Sequence, residues 1–126
     1  MKKILLAVSF LLVASLAFAG QRWLIVVNTE DQETAWNALR VANYALAAGE
    51  SVSVFLLGKG VTVAQERGEP FDVYGLLQKF SDNGGKVYAC KACLRLHKIE
   101  PSQSCPVGTL KILYDLIKEA DKVLTF

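Results

Sequence analysis

"RWLIVVNTEDQETAWNALRVANYALAAGESVSVFLLGKG", Arg22–Gly60, decides the fold. Its opening run, Arg22–Asn28, is almost continuously apolar and ends on a polar residue. A run without in–out alternation reads as a strand covered on both faces, as in parallel sheets. Thr29 and Gln32 match a capping box, so a helix is expected to begin there and reach about Ala48. Ala35, Leu39, Ala42 and Leu46 fall on one face of it, with Ala38 and Ala45 beside them, and these small residues let the helix lie close on a sheet. Gly49 is a helix stop. "SVSVFLLG" (Ser51–Gly58) is then a second strand, and Gly58-Lys59-Gly60 a turn at its carboxyl end.

The same alternation continues downstream. A short helix is expected over Val61–Glu66, then a loop, "RGEP", whose Pro70 suits the first position of a helix over about Phe71–Phe80. "KVYA" (Lys86–Ala89) is a third strand with Cys90 at its end, and Lys91–Leu96 can be helical. "KIEPSQSCPVG" reads as irregular. Thr109 caps a last helix with an apolar stripe at Leu110, Leu113, Ile117 and Ala120, and Asp121–Phe126 closes the chain as a strand. Strands alternating with helices imply a three-layer α/β/α sandwich with a mostly parallel sheet, flavodoxin-like in outline, joined by right-handed crossovers. Ligands and reactive groups in such sheets collect at the carboxyl ends of the strands. "NTED", "GKGV" and "ACKAC" all lie at such ends and are expected along one rim.

Upstream, "MKKILLAVSFLLVASLAFAG" has two lysines, an apolar core too short to span a bilayer comfortably, and Ala17-Phe18-Ala19, the small-x-small pattern of a signal-peptidase site. Residues 1–19 are therefore expected to be a cleaved signal peptide of bacterial style. The alternative is an uncleaved anchor. Cleavage leaves one domain, 20–126, in the periplasm and not held at a membrane. Of 14 basic and 12 acidic side chains, the leader takes Lys2 and Lys3, so the remaining domain is balanced at 12 and 12. A domain without a basic excess has no electrostatic footprint for nucleic acid or anionic lipid.

Chemistry is concentrated in "KVYACKACLRLHK" (Lys86–Lys98) and in Cys105 of "SQSCPVG". Cys90 stands where a strand passes into a helix on the sheet's rim; backbone N–H groups there, with Lys91 nearby, favour the thiolate, and that sulfur is expected to be accessible. Cys93, three residues on, faces the same way and lies within disulfide reach. Several readings compete. The thiols can form a redox pair, but a thioredoxin fold would place that pair after its first strand. A zinc site could draw on Cys90, Cys93, Cys105 and His97, although ligands crowded on one helix make a poor tetrahedron. A structural disulfide such as Cys93–Cys105 could pin the irregular loop. Cys90 could also carry an extra sulfur atom as a persulfide. His97 and Lys59 read as a solvent-edge residue and an exposed turn, and Trp23 and Trp36 as core or subunit contacts. No cofactor is called for: "GKGV" lacks the length and the Ser/Thr of a phosphate-binding loop.

Three segments together resemble the DsrE/DsrF-like (DsrE/DsrF/DsrH, TusD) sulfur-trafficking family: "NTEDQETAWNALRVANYALAAGESVSVFLLGKGV", "GGKVYACKACLRL" and "GTLKILYDLIKEADKVLTF". The likeness covers Gln21–Phe126. It implies a small α/β subunit that assembles into trimers or hexamers. It also implies a cysteine, Cys90, that accepts sulfane sulfur from a donor protein and passes it to an acceptor. Cys93 is expected to act with Cys90 as a resolving thiol, a role the family does not supply. The export signal departs from the cytosolic relay members.

Overall fold

The computed structural model describes residues 20–65, 68–103 and 105–126, so the leader expected over residues 1–19 lies outside the described residues. Five strands form one sheet: β1 (Arg22–Val27), β2 (Ser51–Leu56), β3 (Lys86–Cys90), β4 (Val107–Gly108) and β5 (Lys122–Thr125). Their order is β4-β3-β2-β1-β5, and every neighbouring pair is parallel. Between them run α1 (Gln32–Ala47), a 3₁₀ helix (Gly58–Ala64), α2 (Val73–Asp82), α3 (Lys91–His97) and α4 (Leu110–Glu119). The α/β architecture follows the sequence pattern.

The topology explains the layers. The first three crossovers all step the same way across the sheet, whereas the β4–β5 crossover returns past β1. Right-handed connection therefore puts α1, α2 and α3 on one face and α4 on the other. The buried rows agree. Ala35, Ala38, Leu39, Ala42 and Ala45 of α1 pack with Val52, Val54, Leu77 and Phe80, all at most 5% exposed. The opposite face carries Ser53 and Tyr88, beside Leu116 of α4 and Ala120 just past its end. Phe55 and Tyr88 stack there at 6.4 Å.

Several boundaries differ from expectation, each for a local reason. The Thr29–Gln32 capping box does not form. Thr29 Oγ1 accepts the Asp31 N–H at 3.1 Å, and the Asp31 carboxylate accepts the Thr34 N–H at 2.8 Å, so Asp31 is the cap. Pro70 does not open α2, because Asp72 caps it by accepting from Gly75 N at 2.9 Å. The turn at Gly58 and the short helix merge into one 3₁₀ helix. The irregular stretch holds a two-residue strand, β4, admitted because Gly108 has no Cβ to strike Phe55 and Tyr88. Of the expected stripe, Leu113 in α4 and Ala120 just past its end pack on the core with Ile112 and Leu116. Leu110 and Ile117 remain exposed, because the helix has more apolar residues than one face can bury.

Candidate functional site

Because β1, β2 and β3 are parallel, their carboxyl ends share one rim. There the three segments picked out in the sequence meet. Gly60 lies so close to β1 that an added Cβ would strike the Val27 carbonyl. Lys59 Nζ pairs with Glu30 Oε1 at 3.2 Å, joining "GKGV" to "NTED". Both side chains are exposed, and pairs of this kind are weak. Gly58 carries the turn at φ +57°, where a side chain would be strained and would also meet Asn28.

The cysteines sit where this turn touches α3. Cys90 ends β3 and caps α3, its Sγ accepting the Cys93 N–H at 3.2 Å. Cys90 and Cys93 form a disulfide, their Cα atoms 5.2 Å apart. Cys93 Sγ in turn accepts the Gly58 N–H at 3.2 Å. Each sulfur of the pair thus has one backbone amide donor from a different segment. The Gly58 N–H was not singled out by sequence reasoning. The signal available was a glycine at the carboxyl end of a strand, where backbone can approach a side chain closely.

Accessibility divides the pair. Cys90 is 7% exposed, and Cys93 is half-buried. Sequence reasoning expects Cys90 to be the accessible thiol. The end of a strand inside a sheet is a buried place, and the first turn of α3 carries Cys93 outward instead. Lys91 and Arg95 on α3 are exposed and Leu94 turns inward.

Cys105 stands apart. It is 2% exposed, bridged to Ser102 in a short antiparallel contact, and unpaired. Burial pushes its thiol up to about 12 from an ordinary 9.0. The Cys93–Cys105 staple considered from sequence is therefore replaced by Cys90–Cys93. His97 is half-buried at the end of α3, and among the described residues no group of three or more His, Cys, Asp or Glu is placed to hold a metal ion. Trp36 packs on Phe71 at 5.6 Å with the Arg40 guanidinium over its ring, and Trp23 is half-buried at the opposite end of the sheet from the cysteines. No helix among the described residues is long and apolar enough to cross a membrane.

Known proteins resemble this chain in sequence and in fold. An uncharacterized protein of Methanocaldococcus jannaschii is 35% identical over 101 residues, covering 75% of this chain and 89% of its own. Another, of Methanopyrus kandleri, is 32% identical over 101 residues, covering 75% and 84%. The crystal structure of the ychN protein from E. coli superposes with a TM-score of 0.74 at 25% identity, covering 85% of this chain and 99% of its own. The family model for DsrE/DsrF-like proteins matches residues 21–126, the whole of the described sheet and its helices, and the chain belongs to the DsrE/DsrF-like family.

Proposed function

We propose that the protein is an exported sulfur-trafficking member of its family that carries sulfane sulfur on Cys90 as a persulfide, with Cys93 as the resolving thiol. The carrying observation is the Cys90–Cys93 pair on the carboxyl rim, each sulfur accepting one backbone N–H. In the reduced protein, the Cys90 thiolate attacks the outer sulfur of a donor persulfide. A new S–S bond forms on Cys90, and the donor departs as its thiolate. Cys93 thiolate then attacks Cys90 Sγ, closing the disulfide and expelling hydrosulfide. An acceptor protein reaching the persulfide first takes the sulfur instead.

The periplasm is the compartment that fits the leader read in residues 1–19 and a closed pair, since disulfides persist in oxidising surroundings. Assembly into a homo-trimer or hexamer fits the apolar surface that α4 leaves uncovered at Leu110 and Tyr114. The closed pair equally favours a second reading, a thiol–disulfide redox protein that handles no sulfur atom. A non-catalytic binding or structural protein stapled by this bridge is a third.

One experiment separates them. The reduced protein is incubated with glutathione persulfide, and the tryptic peptide ending at Lys91 is weighed. The expected result is a one-sulfur increment on that peptide, absent from Cys90→Ser. Loading that survives in Cys90→Ser removes Cys90 as acceptor. A wild-type protein that never loads but cycles between dithiol and disulfide supports the redox reading, and a bridge that resists mild reductant supports the structural one.

A further inference from the structure

The two sulfurs of the closed pair are not equivalent to a visitor. Cys90 is held at the buried end of β3, 7% exposed, and its Sγ accepts the Cys93 N–H. Cys93 lies on the first turn of α3, half-buried, with Sγ against the Gly58 N–H of the rim turn. Thiol–disulfide exchange requires the attacking thiolate to reach one sulfur, and it runs faster when the other sulfur is the better-stabilised leaving thiolate.

Each sulfur has one amide donor at 3.2 Å, so access decides between them. We propose that the oxidised pair is opened from outside at Cys93: an external thiolate bonds to Cys93 Sγ, the Cys90–Cys93 bond breaks, and its electron pair leaves with Cys90. The Cys93 N–H already directed at Cys90 Sγ receives the new thiolate. A second thiol of the same reductant then displaces Cys93 from the mixed disulfide, so that the reductant ends as a disulfide and both cysteines are reduced. The substrate class is a dithiol. The step rests on the reading of the pair as working thiols and assigns the two cysteines opposite duties. Cys93 meets the reductant, and Cys90 leaves as the thiolate.

The sequence supplies a way to read the two sulfurs separately. Trypsin cuts after Lys86, Lys91 and Arg95, leaving Cys90 in peptide 87–91 and Cys93 in peptide 92–95, while Cys105 lies in peptide 99–111. The oxidised protein is treated briefly with limiting glutathione, blocked with N-ethylmaleimide in mild acid, and digested. Glutathione on 92–95 with maleimide on 87–91 is expected, and the reverse distribution overturns the proposal. A second measurement uses Cys90→Ser and Cys93→Ser in turn, each reacting with an aromatic disulfide. The thiol at 93 should react about tenfold faster than the thiol at 90, in line with its access. Equal or inverted rates overturn the assignment, and an unmodified Cys105 peptide shows that each variant is folded. Persulfide loading is read apart from this. If it fails while glutathione still enters at 93, the carrier reading falls alone. If it succeeds while glutathione enters at 90, the present proposal falls alone.

Discussion

Cys90 and Cys105 are both buried cysteines, and their neighbours give them opposite chemistry. Cys90 has an amide N–H on its sulfur and a partner at bonding distance. Cys105 has only desolvation, which disfavours the thiolate and pushes its thiol up to about 12. The folded state therefore holds a proton that the unfolded chain releases near the ordinary 9.0. Stability is then unaffected below that pH and declines as pH rises above it, because the unfolded state binds fewer protons there. Urea midpoints followed from neutral pH to pH 10.5 should fall in the wild type and fall less steeply in Cys105→Ala. Parallel curves would show that Cys105 does not titrate as described. That Cys93 lies within disulfide reach of Cys90 was legible from spacing, but which two of the three cysteines pair was not. Nor was the isolation of Cys105, because it lies in a polar, proline-bearing stretch whose burial is set by distant chain.

The helix caps show where local reading succeeds and where it fails. Thr109 was legible as a cap, and its Oγ1 accepts the Ile112 N–H at 3.2 Å. Thr109→Ala should lower stability by about 1 kcal/mol, the usual worth of an N-cap side chain. An unchanged urea midpoint would mean that this cap is idle. At α1 the prediction from pattern chose Thr29, but Asp31 offers a charged acceptor two residues later. Its carboxyl is held below the ordinary 3.8, first by its hydrogen bonds with Thr34. The stabilisation this gives is present above the ordinary Asp value and lost as pH falls through the lowered one. Thr29 and Asp31 both qualify as caps by type, and only the three-dimensional path of the chain selects one. β4 was illegible for a related reason. Two residues carry no periodicity, and Val107–Gly108 is a strand only because β3 offers an open edge. The three rim segments, by contrast, followed from the order of strands and helices, which needs no boundary to be exact.

At the scale of the molecule, coverage is uneven. α1 buries five residues, whereas α4 buries none and leaves Leu110 76% and Tyr114 60% exposed. With Ile117 and Val123 these residues make an apolar surface on the face of the sheet that α4 covers. A second copy of the chain is the proposed cover. Light scattering on residues 20–126 should give an assembly, and Leu110→Glu with Tyr114→Glu should reduce it to monomers with a nearly unchanged far-ultraviolet spectrum. A wild type that is already monomeric would remove that role from α4.

The last strand has a practical corollary. β5 runs parallel to β1, and Asn28 N–H donates to the Phe126 carbonyl at 2.7 Å. Anything continuing past Phe126 therefore emerges beside "NTED", on the same edge as the cysteines. An affinity handle fused there would crowd the doorway to the thiols, whereas one fused ahead of Gln21 would trail from the far end of the sheet.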